Sequence, residues 1–171
     1  MEFYEAVQKR RSIRAYLKKP IPDDIFRRIM DSARLAPSAK NLQPWKFIVI
    51  RDDSRKKEIA RICKERLWIA DASVIIAGVA TNPDYRMGSG QPSSQIDIAI
   101  ALTHIALAAA SESLGTCWIG SFDLAAAKKY LAIPEEYILV GFMTLGYPAE
   151  VPPTKDRKFL EEILIDEQWH E

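Results

Sequence analysis

Three side chains that could bind an anionic group occupy alternate positions near the start of the chain. They are Arg10, Ser12 and Arg14, in the segment KRRSIRAY. In an extended chain alternate side chains point to the same side, so two guanidinium groups and a hydroxyl would share one face. Arginine presents a planar fork of N–H donors that matches the oxygens of a phosphate. The spacing suggests a phosphate grip, and the alternative is an edge strand whose charges prevent aggregation.

A second basic pair lies near the other end of the chain. Lys155 and Arg157 are also two residues apart, within the turn-rich segment YPAEVPPTKDRK. If the two basic clusters met in space, their combined donors would hold a phosphomonoester. The second pair therefore favours the phosphate interpretation over the charged edge strand.

The segment ARLAPSAKNLQPWKFIVI joins a predicted helix to a predicted strand and is unusually rich in short polar groups. It places Ser38, Asn41 and Gln43 between Pro37 and Pro44. Proline ends the helix and stiffens the connection. Either this junction is only a turn, or its hydrogen-bonding groups are directed at a ligand.

The composition sets limits on the classes of partner. The chain has 171 residues, enough for one domain or one subunit of an oligomer, and its net charge of +1 argues against attraction to nucleic acid or to an anionic membrane. Cys63 and Cys117 lie far apart without a CxxC pattern, which predicts reduced thiols in a cytoplasmic protein. The two histidines show no ligand spacing, and we expect no metal site. The start of the chain lacks the apolar region of a signal peptide.

The most apolar run, IDIAIALTHIALAAA, predicts a buried core helix over residues 96–114. It has about 15 residues, whereas a membrane span needs roughly 20. Its polar residues Asp97, His104 and Ser111 are spaced by seven and fall on one narrow stripe, and Gly115 is the expected helix cap. Because a helix that is apolar on every face must be covered on every face, we expect a dimer. The alternative is a monomer that wraps the helix itself.

The remaining pattern predicts an α+β layer fold, because helices and few strands alternate without a regular βαβ rhythm. Amphipathic segments predict helices at residues 2–9, 21–36, 52–67 and 122–132. Runs rich in β-branched and aromatic residues predict strands at residues 46–50, 73–80 and 137–146. The last residues, 159–169, are expected to form a helix or a tail.

Common nucleotide and hydrolase signatures are absent from the sequence. It contains no P-loop, no GxGxxG between a strand and a helix, and no GxSxG elbow. The segment GTCWIG follows the apolar helix and is either a turn between two helices or a place where backbone amides face a ligand. His104 lies inside the apolar helix, where a buried histidine with its hydrogen bonds satisfied is the better interpretation.

Four segments together resemble the FMN-dependent nitroreductase family, in order and in separation. They are RRSIRAYLKKPIPDD, ARLAPSAKNLQPWKFIVI, LGTCWIG and LGYPAEVPPTKDRK, and the first two are the most specific. The resemblance covers almost the whole chain, whose length is similar to that of compact family members. It implies a nitroreductase-like three-layer sandwich in which helices flank a mainly antiparallel sheet. It also implies an intertwined homodimer of single-domain subunits (residues 1–171), each exchanging a C-terminal arm from about residue 159.

The resemblance further implies two FMN sites at the subunit interface. Arg10 and Ser12 would hold the phosphate with Lys155 and Arg157, and Arg14 would approach the pyrimidine edge of the flavin. The segment at residues 37–43 would lie against the flavin of the other subunit, and its prolines would reduce the entropy lost on binding. The complete set of expected cofactor-binding residues is Arg10, Arg11, Ser12, Arg14, Pro37, Ser38, Ala39, Asn41, Gln43, Ile119, Gly120, Lys155 and Arg157.

The activity implied by the resemblance is hydride transfer from NADH or NADPH to a small planar electron acceptor in a ping-pong mechanism. Expected acceptors are nitroaromatics, quinones or flavins, with the loop at residues 81–95 on the acceptor side. The flavin carries the chemistry, so no catalytic side chain is expected. The alternatives are a non-enzymatic module that stores or senses FMN, and a related flavin-dependent dehalogenase.

The chain departs from the family pattern at three positions. Larger members carry an amide and a lysine where this chain has Glu65 and Trp68. Some members carry a glutamate where this chain has Ile119. These departures bear on the reduction potential and on the range of acceptors.

Overall fold

Over residues 2–169, which the computed structural model describes, the chain is built around a four-stranded antiparallel sheet. Its strands are β1 (Trp45–Ile50), β2 (Val74–Ala80), β3 (Gly115–Ile119) and β4 (Ile138–Gly146), and their order in space is β1-β2-β4-β3. Strand β2 is buried at all seven positions, because it is central and both of its faces are covered.

Strand β3 corrects the sequence-based expectation of a turn between two helices. Gly115–Ile119 pairs with Phe142–Gly146 of β4, from Gly115 opposite Gly146 to Ile119 opposite Phe142. The strand is only five residues long and directly follows a long helix. A periodic pattern is hard to detect over so short a stretch. Pairing with β4 therefore decides its conformation.

The described residues also form five helices, close to the predicted positions. They are α1 (Phe3–Lys9), α2 (Asp23–Arg34), α3 (Asp53–Ile62), α4 (Ser94–Ser111) and α5 (Leu124–Leu131). Asp52 caps the start of α3, since its side chain accepts a hydrogen bond from the backbone N–H of Arg55. The helix ends earlier than expected, because Lys64 and Glu65 adopt left-handed backbone angles. A 3₁₀ turn, Leu67–Asp71, follows.

The sheet is the middle of three layers. On one face α2 and α4 pack against side chains such as Val74, Ile76 and Met143. On the other face α3 and α5 pack against Ile75 and Phe142. Neighbouring residues of one strand enter opposite cores, as the alternation of side chains requires. The predicted three-layer α+β sandwich is confirmed.

Helix α4 has the length and hydropathy of a membrane span, but it packs as a core helix. It contacts α1, α2 and all four strands. Its buried residues are Ser94, Asp97, Ile98, Ala101, Leu102, Ile105, Ala106 and Ala109. The chain itself leaves the opposite side partly exposed: Ile96 is 42% exposed and Leu107 is half-buried. That a partner subunit covers this side stays a prediction. His104 is half-buried, with its ring Nδ1 3.1 Å from the Ser32 carbonyl oxygen.

The C-terminal segment leaves the sandwich after β4 and stays on the surface. It forms a short 3₁₀ turn, Leu160–Glu162, in place of a helix. Residues 153–169 are exposed throughout, although several of them are large and apolar. These apolar residues are Phe159, Leu160, Ile163, Leu164, Ile165 and Trp169. The segment gains little burial against its own chain.

Candidate functional site

The segment that carries the first basic cluster runs along the edge of the sheet. Ser12 forms a parallel bridge with Thr116 of β3, and the Ile13 N–H donates to the Thr116 carbonyl at 2.9 Å. Ile13 and Tyr16 are buried, whereas Arg14 is exposed. The segment thus pairs as expected of an extended chain and turns its apolar side chains inward.

Tyr16 anchors this segment to the sheet. Its hydroxyl lies 2.8 Å from the Ile13 carbonyl oxygen and 2.7 Å from the Thr144 hydroxyl on β4. Burial raises the pKa of Tyr16 well above its usual value, so the phenol stays neutral and able to donate. The anchor holds the backbone between Ser12 and Arg14 at a defined distance from β4.

The two basic clusters line one cleft of about 560 Å³. Its cationic lining consists of Arg10, Arg11, Arg14, Lys155 and Arg157, and its hydroxyl groups come from Ser12, Thr103 and Thr154. None of the described residues that line the cleft is an Asp or a Glu. The structure therefore brings the two ends of the chain together around a strongly positive site.

The cations of the cleft differ in the bonds they make. Arg11 donates to the carbonyl oxygens of Gln8 (2.6 Å) and Arg10 (2.9 Å), and to the Thr154 hydroxyl at 2.5 Å. Arg11 thus ties the N-terminal segment to the C-terminal one. The charged groups of Arg10 and Lys155 make no hydrogen bond or ion pair within residues 2–169. These two groups are free to bind an anion.

Five like charges around one cleft repel one another unless an anion compensates them. A phosphomonoester carries up to two negative charges and three terminal oxygens, which match the free cations and the Ser12 hydroxyl. The donor set of the cleft fits such a group.

The other predicted site residues do not line this cleft within one chain. Pro37, Ser38, Ala39, Asn41 and Gln43 lie on a separate turn between α2 and β1, and Ala39–Asn41 form a 3₁₀ helix. In this turn the Ser38 hydroxyl accepts a hydrogen bond from the Gln43 N–H at 3.0 Å.

Ile119 and Gly120 lie at the end of β3, also outside the cleft lining. The Ile119 side chain is buried and Gly120 is exposed. A ligand at this position would therefore contact the backbone at Gly120 and not the Ile119 side chain.

The two departures from the family pattern that precede β2 lie in different surroundings. Glu65 is exposed, and its backbone is left-handed. Trp68 is half-buried and packs against the cluster of Ile13, Tyr16 and Ala72. Trp68 therefore supports the segment that carries the first basic cluster.

Cys117 lies near the basic segment but does not have the properties of a reactive thiol. It is buried, and burial raises the pKa of its thiol, although Arg14 and Ser12 act in the opposite direction. The neutral thiol packs in the core.

Among residues 2–169, no group of three His, Cys, Asp or Glu side chains is arranged to hold a metal ion.

Gly115 allows the basic segment to approach the sheet, a role that its position after an apolar helix does not indicate. A Cβ atom at this position would lie 2.4 Å from Cγ1 of Ile13 and 2.8 Å from its Cβ. The expected role of Gly115 as a helix cap is wrong, because Ser113 takes the left-handed conformation after α4 instead. The sequence signal for this contact is the apolar Ile13 between Ser12 and Arg14, which suggests a side chain that packs against the sheet.

We expect the Gly115→Ala variant to lose about 1–3 kcal/mol of unfolding free energy, because the added methyl group overpacks the contact with Ile13. Urea denaturation measures this loss. Gly88→Ala is the matched control, since a Cβ at Gly88 meets nothing within 4 Å. Equal unfolding free energies for the two variants would contradict the role of Gly115.

Comparison with known proteins agrees with this architecture. The family model described as "Nitroreductase family" matches residues 7–74 and 64–147. A putative NADH dehydrogenase/NAD(P)H nitroreductase of Methanothermobacter thermautotrophicus is 34% identical over 161 residues, which cover 91% of this chain and 82% of that protein.

Solved structures show the same fold. The crystal structure of a nitroreductase family protein from Clostridium novyi NT has a TM-score of 0.83 at 37% identity, covering 91% of this chain and 89% of that one. The NADPH:FMN oxidoreductase from Vibrio harveyi, in complex with NAD+, has a TM-score of 0.91 at 24% identity, covering 99% of this chain and 78% of that one. On its family-model match, its sequence relatives and its fold, the chain belongs to the nitroreductase family.

Proposed function

We propose that the protein is an FMN-dependent oxidoreductase that takes hydride from NADH or NADPH and reduces small planar acceptors in a ping-pong mechanism. The observation that carries this proposal is the cleft that five cations line, with no carboxylate from residues 2–169, in a chain of the nitroreductase family. The names of the relatives from Methanothermobacter and Vibrio, which specify NAD(P)H and FMN, support it.

Arg10, Ser12, Lys155 and Arg157 would hold the phosphate of FMN, because their donors converge on one cleft. Arg11 positions the C-terminal half of this set through its bond to Thr154. Arg14, which is exposed in the same cleft, would supply positive charge toward the pyrimidine edge of the flavin. When bound, FMN supplies the capacity to accept and donate hydride, and the protein supplies orientation and charge.

A homodimer would complete the site. The turn at residues 37–43 and the basic cleft are separate features of one chain, so a neighbouring copy would bring its turn to the flavin held by the first. Exposed apolar side chains are available for such an interface. On α1, Phe3 is 63% and Tyr4 is 78% exposed, and the exposed side of α4 lies next to them. The C-terminal arm from about residue 159 would wrap around the partner and bury its apolar residues there.

The acceptor would bind beside the turn, and nitroaromatics, quinones and flavins fit the proposal. The loop after β2 folds back on itself, with Met87 N–H donating to the Gln91 carbonyl at 2.9 Å. It lies against the turn, because the Lys40 ammonium is 5.6 Å from the centre of the Tyr85 ring. Residues 81–95 would thus contact an acceptor that reaches the turn.

We expect the purified protein to bind FMN with a yellow colour and to bleach under anaerobic NADH or NADPH. Addition of a quinone or a nitroaromatic compound should restore the flavin absorbance, because the reduced enzyme passes its electrons on. Anaerobic stopped-flow spectroscopy with both nicotinamides, followed by a panel of acceptors, measures both half-reactions. Free FMN without protein is the control for direct reduction.

Other outcomes of this experiment separate the competing functions. A yellow protein that neither nicotinamide bleaches would indicate an FMN-storing or FMN-sensing module. Reoxidation by halogenated aromatics, with release of halide, would indicate a dehalogenase. A colourless protein that takes up no added FMN would overturn the proposed function.

A further inference from the structure

We propose that Asp97 is a positioning residue that holds the turn at residues 38–43 in the shape required to contact FMN. The inference rests on the proposed function, because that function places the turn at the flavin of a neighbouring copy. Asp97 lies in the first turn of α4, on a different element from the turn it holds.

One hydrogen bond joins the two elements. The backbone N–H of Ala39 donates to Oδ1 of Asp97 at 3.0 Å, across 58 residues of sequence. Other hydrogen bonds of the turn are local; for example, Asn41 N–H donates to the Ser38 carbonyl and Leu42 N–H to the Ala39 carbonyl, each at 3.0 Å. Local bonds define the shape of the turn, whereas the Asp97 bond attaches it to the rigid core.

The turn needs such an attachment because its backbone is unfavourable. Lys40, Asn41 and Gln43 have φ angles of 49°, 55° and 49°. The left-handed region is disfavoured for residues with a Cβ, although asparagine tolerates it better than most. Without a fixed point the chain would gain freedom by leaving this conformation.

Asp97 is a charged residue in a buried position, where aspartate is uncommon. It is 3% exposed, and its Oδ2 has no hydrogen-bond partner within residues 2–169. Burying a carboxylate is costly, and the positive end of α4 offsets only part of this cost. A carboxylate is useful here because it accepts strongly from the Ala39 N–H.

The same end of α4 also contacts the loop beside the turn. The Ser93 N–H lies 3.4 Å from the Tyr85 carbonyl, and the Asp97 N–H donates to the Ser93 carbonyl at 2.8 Å. Both segments that would surround an acceptor therefore meet at the start of α4. Removing the Asp97 carboxylate should affect the turn first, since within residues 2–169 its side chain accepts a hydrogen bond from the turn alone.

The test compares Asp97→Ala with Asp97→Asn. The alanine variant loses the acceptor, so we expect about tenfold weaker FMN binding by flavin fluorescence and about tenfold faster tryptic cleavage after Lys40 in FMN-free protein. The asparagine variant keeps an oxygen that can accept from Ala39, so both values should stay within about threefold of wild type. Ser111→Ala is the control on the same stripe of α4, because its hydroxyl donates to the Ala108 carbonyl of its own helix and, within the described part of the chain, to no other element.

A second variant removes the donor instead of the acceptor. Ala39→Pro has no N–H, and the extended backbone of Ser38 (φ −144°, ψ 159°) is compatible with a following proline. We expect it to weaken FMN binding as Asp97→Ala does, which keeps the proposal testable if the alanine variant does not fold.

Three results would overturn the proposal. The first is an Asp97→Ala variant with the FMN affinity and the tryptic cleavage rate of wild type. The second is an Ala39→Pro variant with the FMN affinity of wild type. The third is an Asp97→Asn variant whose FMN affinity and cleavage rate change as much as those of Asp97→Ala. Failure of wild-type protein to bind FMN would instead overturn the proposed function, since the tryptic comparison needs no FMN.

Discussion

Replacing Arg10 with alanine is expected to weaken FMN binding by about ten- to a hundredfold. A charge-assisted hydrogen bond to a phosphate is worth roughly 1.5–3 kcal/mol, and about 1.4 kcal/mol corresponds to a factor of ten. Arg10 should show this effect fully, because its guanidinium has no competing partner within residues 2–169. The expected loss lies in the dissociation rate, which fluorescence of released FMN follows directly.

The matched control for this change is Arg27→Ala. Arg27 is exposed on α2, outside the cleft, and the replacement alters the net charge by the same amount. Titration of apoprotein with FMN should therefore give wild-type affinity for the control. If the two variants bound FMN equally well, the phosphate role of Arg10 would be refuted.

Removing the C-terminal arm should convert a dimer into monomers and abolish tight FMN binding. Deleting residues 159–171 removes several large apolar side chains that are exposed within a single chain, among them Phe159 and Trp169. Each such side chain contributes roughly 1.5–3 kcal/mol when it is fully buried, so their burial against a partner would dominate the association. We expect the dissociation constant of the dimer to rise at least about a hundredfold.

Size-exclusion chromatography with light scattering measures this change across a dilution series, with FMN content recorded for each peak. Glu161→Gln is the control, because it neutralises an exposed charge in the arm and keeps every apolar side chain. A truncated protein that remained dimeric at the concentrations where wild type is dimeric would argue against an exchanged arm.

The helices and three of the four strands could be predicted because their patterns are long enough to show a period. Helix α4 and strands β1, β2 and β4 are examples. Strand β3 could not be predicted, because its five residues become a strand through pairing with β4. Composition indicated that α4 is apolar on every face, but only the packed structure shows which of its residues the chain itself leaves partly exposed.

The candidate site shows the same division. Alternation of Arg10, Ser12 and Arg14 in sequence indicated a cationic face, and the resemblance identified the turn at residues 37–43. The attachment of that turn to Asp97 was not visible, because Asp97 appeared only as one member of a polar stripe. Likewise, Gly115 looked like a helix cap until its contact with Ile13 was known.

The sequence by itself determined which residues carry charge, which segments are regular and which family the chain resembles, because these properties are local or are read directly from motifs. Only the tertiary structure decided that Arg11 meets Thr154 across 143 residues and that one cleft collects cations from both ends of the chain. Both contacts depend on the course of the chain after β4, which runs beside residues 10–16. There the Ala149 N–H donates to the Ala15 carbonyl at 2.9 Å. Long-range pairing of this kind arises from the packing of the whole sandwich, so no local pattern specifies it.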